Sequence, residues 1–288
     1  MKILLLGAQG NLGTAFLEKA NEYPDHIFIG WDKNDIDVTD RALIMKKVAD
    51  LKPDVIINTV AFNDVDGSEN NLQAGKSAEE LNCNLVKNLA DLALEHNCLL
   101  IHYSSEYVFA GDQVEGYDEE AEVNPLNTYG ISKAKGEKEI ISLSGRGLRW
   151  YLIRTARLFG KKGQGANAKP SFFELMLELS RTKDKLTIVS NESGSFTYTM
   201  DLVEATMNLL HSGDSFGIYH LVNDGVASWY EAADYFFKKC GSVIAIEAIE
   251  GESFSRPARR PKNSRLLNTK RPLLRSWQAA IDEYITTL

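Results

Sequence analysis

The heptapeptide Gly7-Ala8-Gln9-Gly10-Asn11-Leu12-Gly13 joins an apolar run, residues 3–6, to a segment with helical spacing, residues 11–22. Gly7 permits a tight turn, Gly10 lets a ligand approach the main chain, and Gly13 allows close packing of helix on strand. The start of a helix also offers free N–H groups to phosphates. A GxxGxxG pattern between strand and helix therefore predicts a dinucleotide-binding turn; the alternative is a tight turn without a ligand.

Strand and helix patterns alternate downstream of this turn. Apolar runs predict strands over residues 26–30, 54–58, 99–103 and 148–153. Helical spacing predicts a helix over residues 78–95, with Ser77 as its N-cap and Glu80 three residues later. This alternation predicts an α/β fold, a Rossmann doubly wound parallel sheet.

The pattern changes after residue 160. It predicts helices over residues 170–181 and 272–288, strands over 217–222 and 244–249, and a capping box formed by Ser228 and Glu231. We therefore expect a Rossmann domain over residues 1–160. Residues 161–288 should form mainly a smaller α/β substrate lobe, with parts returning to the Rossmann sheet.

Composition excludes some classes of function. The chain has 288 residues and a net charge of −8, which disfavours a broad nucleic-acid surface. It has three cysteines at wide spacings, typical of a reducing compartment, and no run long enough to span a membrane. We expect a cytoplasmic protein. The five histidines show no ligand spacing, so no catalytic metal is predicted.

Asp32 follows the second predicted strand, where an acid can bind the adenosine ribose. Its charge would repel a 2′-phosphate and so favour NAD(H) over NADP(H), whereas Lys33 beside it has the opposite effect. A surface acid in a turn is an equal alternative. The expected cofactor is therefore NAD(H) or NADP(H).

Tyr129-Gly130-Ile131-Ser132-Lys133 is a YxxxK motif, which places tyrosine and lysine on one face of a helix. A nearby ammonium lowers the pKa of a phenol and suits it to proton transfer. Ser105 ends the fourth predicted strand, at the edge of the sheet where ligands bind. Its hydroxyl is a candidate to hold a substrate carbonyl beside Tyr129; the alternative is a local main-chain hydrogen bond.

Taken together, these motifs resemble the dTDP-4-dehydrorhamnose reductase family of the extended short-chain dehydrogenase/reductase superfamily. The similarity runs nearly end to end and includes Arg154-Thr155, Ser228-Trp229-Tyr230 and residues 256–264. It implies catalytic roles for Ser105, Tyr129 and Lys133 in the reduction of the 4-keto group of a nucleotide-linked deoxysugar. It implies that the cofactor contacts Asn11, Leu12, Asp37, Val38, Ala61 and Phe62. It implies that the sugar nucleotide contacts Asn63, Val65, Glu106 and Tyr107.

The chain departs from the family at several positions. Ser105 replaces a usual threonine, Glu106 a usual aspartate, and Arg157 a tryptophan of well-known members. Arg157 therefore presents a cation to the expected sugar site. The glycine- and lysine-rich residues 160–169 look like an insertion near the substrate lobe.

Other interpretations stay open at this stage. Arginine forks in the cluster Arg256, Arg259, Arg260 and Arg265 suit a diphosphate, with Arg256 and Arg259 as the expected substrate contacts, but a solvated basic loop is the alternative. A sugar-nucleotide epimerase or dehydratase would share the fold, although the Glu106-Tyr107 pair lacks the second acid that dehydratases have. A non-catalytic, dinucleotide-binding regulatory subunit of the methionine adenosyltransferase type is the other candidate. Members of the superfamily often form homodimers.

Overall fold

A computed structural model describes residues 1–166 and 168–288. The strands are β1 (Lys2–Leu6), β2 (Ile27–Trp31), β3 (Val55–Asn58), β4 (Leu99–Ser105), β5 (Arg149–Thr155), β6 (Leu158–Phe159), β7 (Lys185–Val189), β8 (Ser193–Gly194), β9 (Thr197–Tyr198), β10 (Gly217–His220), β11 (Ala227–Ser228), β12 (Ala245–Ile249) and β13 (Asn263–Ser264). The α-helices are α1 (Asn11–Lys19), α2 (Arg41–Leu51), α3 (Val65–Asn70), α4 (Leu72–Glu79), α5 (Leu85–Glu95), α6 (Thr128–Ser142), α7 (Phe172–Ser180), α8 (Thr199–Ser212), α9 (Trp229–Lys239) and α10 (Trp277–Ile285).

The main sheet has six strands in the order β10-β5-β4-β3-β1-β2, and every neighbouring pair is parallel. Strands β1, β3, β4 and β5 read as continuous apolar runs because both of their faces are covered. The predicted Rossmann sheet is thereby confirmed. The strand order reverses direction between the neighbouring strands β1 and β3, and doubly wound folds bind their ligands at such a point.

Two apolar layers sandwich this sheet. On one face, Leu12 and Phe16 of α1 pack with Leu202 and Met207 of α8. On the other face, residues of α2, α5 and α6 form a second buried cluster, which includes Ile44, Leu89 and Ile140. The first cluster thus contains α8, and the main sheet contains β10, although both elements lie after residue 160.

The second lobe has its own aromatic core. Phe159, Phe173, Phe196, Phe236 and Tyr284 are buried together in it. Its strands are short: β7 pairs with β12, β8 lies between β11 and β13, and β6 pairs with β9. Several separate returns of the chain therefore build this lobe.

Three local predictions can be compared with the structure. The capping box of Ser228 and Glu231 is confirmed at the start of α9. The prediction of Ser77 as an N-cap was wrong: the helix begins earlier, and Asn71 caps α4 by accepting from the N–H groups of Gln73 and Ala74. The predicted start of the last helix near Pro272 was also wrong, because α10 begins at Trp277 and Ser276 is its N-cap.

Among the described residues, no helix combines the length and the apolar character needed to cross a lipid bilayer.

Candidate active site

The turn between β1 and α1, residues 7–13, is called the glycine turn below. Gly7 has a φ of +79°, a backbone conformation that favours glycine. A Cβ atom on Gly13 would lie 2.1 Å from the carbonyl oxygen of Gly7, so any side chain there would push the turn away from the helix. Gly10 caps α1 without a side-chain hydrogen bond, and the first turn of α1 has no acidic residue. Free N–H groups and the positive end of the helix dipole therefore fit an anionic diphosphate.

Asp32 lies just past the carboxyl end of β2, next to the glycine turn. Its Oδ2 accepts a hydrogen bond of 2.9 Å from the N–H of Gln9, and its Oδ1 accepts one of 2.7 Å from the N–H of Lys33. The carboxylate is therefore fixed beside the turn. Further along the same loop, Val38 is half-buried, whereas Asp37 is exposed. Hydrogen bonds from Thr39 lower the pKa of Asp37.

The segment after β3 carries the predicted contacts Ala61, Phe62 and Asn63. Asn82 holds this segment: its Oδ1 accepts from the N–H of Phe62 at 2.9 Å, and its Nδ2 donates to the carbonyl of Phe62 at 3.0 Å. The same Nδ2 donates to Ser132 Oγ at 2.9 Å. Asn82 is fully buried in a π-helical turn, Glu80–Asn84, and such turns are frequent at functional sites. Sequence reasoning did not identify Asn82.

The predicted contacts in this segment and at the start of α3 differ in exposure. Ala61 and Asn63 are exposed, and Val65 is half-buried at the first position of α3.

Tyr129 and Lys133 lie on the first turns of α6, packed against the carboxyl end of β4. Asn127 caps the helix by accepting from the N–H of Gly130 at 2.8 Å. A Cβ atom on Gly130 would lie 2.2 Å from the carbonyl of Tyr107, so the helix lies directly on the chain that follows β4. Lys133 Nζ donates to the carbonyl of Tyr103 at 2.6 Å. Tyr129, Lys133 and Ser105 are all buried here and are called the Ser–Tyr–Lys group below.

Burial controls protonation in this group. It raises the pKa of Tyr129, the charge of Glu106 adds to the rise, and a hydrogen bond with Ser105 opposes it. It lowers the pKa of Lys133 to about 8, and the Glu137 carboxylate opposes that fall. The expectation that the pKa of Tyr129 is lowered was therefore wrong for this structure, because burial and the charge of Glu106 raise it. Tyr129 is a phenol near neutral pH, the form that can donate a proton.

A buried ion pair supports the helix that carries the group. Arg154 of β5 donates from Nε and Nη2 to the two carboxylate oxygens of Glu137, at 3.0 and 2.8 Å. Both side chains are 2% exposed. Glu137 lies one turn after Lys133, so this bidentate pair fixes α6 against β5.

Glu106 and Tyr107 continue the site beyond Ser105. Ser105 Oγ donates to Glu106 Oε2 at 2.7 Å. Burial raises the pKa of the Glu106 carboxyl, and both this hydrogen bond and the charge of Arg157 oppose the rise. The ring of Tyr107 meets that of Tyr129 edge-on, with 5.5 Å between centroids. Burial also raises the pKa of Tyr107 to about 12, which makes it a poor base near neutral pH.

A small cavity, called the lobe cavity below, opens where the second lobe meets β4. It is lined by Glu106, Tyr107, Arg157, Glu192, Trp229, Arg260, Pro261 and Ser264.

Arg157 lines the lobe cavity and is held there by several contacts. It has a φ of +41°, its Nη1 donates to the carbonyl of Ala227 at 3.0 Å, and its Nη2 donates to the carbonyl of Glu192 at 3.1 Å. Its guanidinium lies 4.3 Å from the ring centroid of Trp229. A fixed cation thus stands in the wall of the cavity.

The three arginines of the late basic stretch differ in placement. Arg260 lines the cavity and forms a bidentate pair with Asp66, with Nη2 2.7 Å from Oδ2. Arg256 is half-buried and pairs with Glu192, a lining residue. The side chain of Arg259 is exposed, and its carbonyl accepts from Asn127 Nδ2 at 2.8 Å. Of the arginines in the predicted cluster, Arg260 lines the cavity and is therefore better placed than Arg259.

The structure thus gathers most of the predicted residues along one edge of the sheet. The glycine turn, Asp32 and Phe62 lie on one side, the Ser–Tyr–Lys group is central, and the lobe cavity lies on the other side. Glu192 was missed because nothing in its local sequence marks it. Trp229 and Arg260 lay in recognised motifs, but their contact with the cavity depends on the tertiary fold.

Residues 160–166, 168 and 169 do not line the lobe cavity. They lie on the glycine turn: the N–H of Gly163 donates to Asn11 Oδ1 at 2.9 Å, and the N–H of Gly165 donates to the carbonyl of Gln9 at 2.9 Å. The segment was expected near the substrate lobe, to which Lys162 joins it through Glu174; its contacts with the glycine turn were not predicted. Asn167, which belongs to this predicted insertion, lies outside the described residues.

Across residues 1–166 and 168–288, no group of three or more His, Cys, Asp or Glu side chains is arranged to hold a metal ion.

Comparison with known proteins identifies the relatives of this chain. The family described as "RmlD substrate binding domain" matches residues 1–288. A dTDP-4-dehydrorhamnose reductase of Aggregatibacter actinomycetemcomitans is 30% identical over 280 residues, covering 93% of this chain and 91% of the relative. The crystal structure of a dTDP-4-dehydrorhamnose reductase from Clostridium acetobutylicum is 32% identical with a TM-score of 0.90, and that of the Bacillus anthracis enzyme in complex with NADP is 28% identical with a TM-score of 0.90. Each alignment covers 100% of this chain and 99% of the structure.

Proposed function

We propose that this chain, which belongs to the dTDP-4-dehydrorhamnose reductase family described as RmlD substrate binding domain, reduces the keto group of a nucleotide-activated sugar with NAD(P)H. The observation that carries the proposal is the Ser–Tyr–Lys group, buried between the glycine turn and the lobe cavity. A proton donor at that point lies between a site for a cofactor and a site for a sugar.

Each member of the group has a chemical role. When bound, the reduced nicotinamide supplies a hydride to the carbonyl carbon of the substrate. Tyr129, a phenol near neutral pH, donates its proton to the carbonyl oxygen. Ser105 orients that oxygen by donating its one hydroxyl proton, which in this structure goes to Glu106 Oε2, so the carbonyl oxygen replaces Glu106 as the acceptor when the substrate binds. Lys133 places an ammonium at the end of β4, where it stabilises negative charge on the Tyr129 oxygen and can hold the cofactor ribose.

We infer that the oxidised position of the sugar is C4 and that the nucleotide is dTDP. The similarity to dTDP-4-dehydrorhamnose reductases supports this substrate. In the lobe cavity, Arg157 and Arg260 are suited to oxygen atoms of the sugar or diphosphate, and the ring of Trp229 to an apolar sugar face. NADP in the Bacillus anthracis structure supports a nicotinamide dinucleotide at the glycine turn.

Two other functions are less well supported. A dehydratase needs an acid and a base beyond the hydroxyl residue, but Tyr107 stands at the second position with its pKa raised to about 12. A non-catalytic regulatory protein would not need a buried proton donor, yet Tyr129 is buried beside Ser105 and Lys133. Reduction therefore has the stronger physical support.

The test is the oxidation of NADH and NADPH with dTDP-4-keto-6-deoxy-L-mannose, by the native chain and by Tyr129→Phe. The variant keeps the ring and loses the hydroxyl group that donates the proton, so turnover should fall by a factor of about 1,000, within the range of general acid catalysis. Binding of the cofactor, measured by fluorescence, should stay unchanged.

Two results would overturn the proposal. Tyr129→Phe with the activity of the native chain would remove tyrosine from the chemistry. A native chain that binds the cofactor tightly but oxidises none with any 4-keto nucleotide sugar would favour the regulatory function.

We also propose a cytoplasmic homodimer. Cys83, Cys98 and Cys240 are free thiols, which supports a reducing compartment. Helix α6 leaves Ile131 and Ile141 exposed, at 44% and 40%, which supports a contact between copies. Light scattering coupled to size-exclusion chromatography would measure the mass; a monomer at working concentration would contradict the dimer.

A further inference from the structure

The segment of residues 160–166, called the strap below, follows β6 and leads towards α7. It leaves the second lobe and crosses onto the glycine turn, which belongs to the Rossmann sheet. No step of the proposed reaction uses it. Its contacts nevertheless fall on residues that the cofactor is expected to touch.

Asn11 is the main point of contact. Its Oδ1 accepts from the N–H of Gly163 at 2.9 Å, and its Nδ2 donates to the carbonyl of Lys169 at 3.1 Å. Both ends of the Asn11 amide are therefore bound to the segment after β6. The N–H of Gly165 adds a third contact, 2.9 Å from the carbonyl of Gln9.

Gly163 allows this close approach. It is buried, and a Cβ atom there would lie 2.4 Å from the carbonyl oxygen of Gln9, 2.5 Å from the carbonyl carbon of Gly10 and 2.8 Å from the nitrogen of Asn11. All three atoms belong to the main chain. A side chain at position 163 could fit only if the strap or the glycine turn moved.

The other end of the strap is fixed to the second lobe. The N–H of Lys162 donates to Glu174 Oε1 at 3.0 Å, and Glu174 Oε2 accepts from the N–H of Ser171 at 2.7 Å in the capping box of α7. Phe173 in this helix is fully buried in the aromatic core of the lobe. The strap therefore connects that core to the glycine turn.

We propose that the strap is a positioning element for the cofactor diphosphate: it holds the glycine turn from the second lobe and slows the release of the dinucleotide. The free N–H groups at the start of α1 stay oriented because Asn11, the first residue of that helix, is fixed through its side chain. Donors that are already oriented bind an anion more tightly than mobile ones. The proposal rests on the cofactor class of the proposed function and is independent of which sugar is reduced.

The experiment compares Gly163→Ala with Gly145→Ala in the full-length chain. Neither glycine has a positive φ, but Gly145 is exposed and its added Cβ would meet nothing within 4 Å. Asn11→Ala is the second variant, because it removes two hydrogen bonds without adding bulk. The measurements are the NADPH dissociation constant by fluorescence and the dissociation rate by stopped flow, with thermal melting as a check on folding.

We expect Gly163→Ala and Asn11→Ala to weaken NADPH binding about tenfold, which two lost hydrogen bonds account for, mainly through faster dissociation. Gly145→Ala should match the native chain. Unchanged dissociation in a folded Asn11→Ala variant would overturn the proposal, and slower dissociation would overturn it by showing that the strap obstructs the cofactor. A native chain that binds neither cofactor would overturn both this proposal and the proposed function, whereas normal NADPH binding without turnover would overturn the proposed function alone.

Discussion

The proposed cofactor side of the site is built mainly from main chain, whereas the proposed substrate side is built from charged side chains. On the cofactor side, Gly7 and Gly13 shape the turn, and the Asp32 carboxylate accepts from main-chain N–H groups. On the substrate side, Arg157, Glu192 and Arg260 line the lobe cavity and are held by ion pairs or hydrogen bonds. Dinucleotides share one diphosphate, so a rigid main-chain site suits them, while side chains can change with the sugar.

The two sides should therefore respond differently to substitution. A site formed by a main-chain turn should lose affinity for its ligand when a side chain adds bulk, because main-chain atoms cannot move independently. A site lined by side chains should lose affinity when a charge or a hydrogen bond is removed. Each substitution below targets one side and leaves the other as a reference.

The largest effect is expected for Gly13→Ala on the cofactor side. The added methyl group would meet the carbonyl of Gly7 at 2.1 Å and main-chain atoms of Ala8 at 2.8 and 2.9 Å. Overpacking of this kind costs about 1–3 kcal/mol, so NADPH affinity should fall by up to about 100-fold. Fluorescence titration measures it, with Gly145→Ala as the control. Native affinity in a folded Gly13→Ala variant would contradict the close approach.

The substrate side is tested by Arg157→Met. Methionine has a similar length but no donors, so the carbonyls of Ala227 and Glu192 lose their partners and Glu106 loses a nearby cation. We expect the KM for the nucleotide sugar to rise about tenfold, because hydrogen bonds from charged groups contribute about 1.5–3 kcal/mol each. The NADPH dissociation constant should not change. A change in NADPH binding with unchanged KM would reverse the assignment of the two sides.

The same contrast explains what sequence alone could predict. The glycine turn, the YxxxK motif and the strand ends are local patterns, so the Rossmann sheet and the Ser–Tyr–Lys group follow from residues close together in the chain. The lobe cavity combines Glu106, Arg157, Glu192 and Arg260, which come from four separate returns of the chain. Local patterns do not specify which of these returns meet.

Two features of the site depend on tertiary packing. Residues 160–169 were expected near the second lobe, but local sequence does not indicate that Gly163 also contacts the glycine turn, far away in sequence. The pKa of Tyr129 was expected to fall because Lys133 is near in sequence, yet burial by the whole fold raises it. Local sequence identified these residues, but tertiary packing decides what Gly163 contacts and whether the pKa of Tyr129 rises or falls.

Lys133 lies between the two sides and is tested by pH. Burial lowers its pKa to about 8, so the ammonium is lost as pH rises above that value. Because kcat/KM reports groups of the free enzyme, it should fall about tenfold per pH unit above about 8. A flat kcat/KM between about pH 8 and 10 would mean that the charge of Lys133 is not needed.

Stability should move in the opposite direction across the same pH range. The unfolded chain keeps the lysine proton up to about pH 10.4, so between about 8 and 10.4 it binds more protons than the folded chain. The free energy of unfolding contributed by Lys133 therefore rises with pH in that window. Denaturant titrations at several pH values give the free energy of unfolding of the native chain and of Lys133→Met. Between about pH 8 and 10.4 this free energy should rise more steeply with pH in the native chain. An equal dependence on pH in the two proteins would contradict the lowered pKa of Lys133.

The smallest effect is expected for Asp32→Asn on the cofactor side. Asparagine keeps a carbonyl oxygen for the N–H of Gln9 and removes the negative charge. Two charges about 4 Å apart in water interact by about 1 kcal/mol, so the preference for NADPH over NADH should rise about fivefold. Asp25→Asn is the matched control, because it makes the same change in net charge. Asp25 precedes β2 and so lies at the amino end of the strand, whereas Asp32 lies at its carboxyl end. Equal shifts in the two variants would mean that net charge acts at long range. A shift confined to Asp32→Asn would place the 2′-position of the cofactor ribose beside that carboxylate.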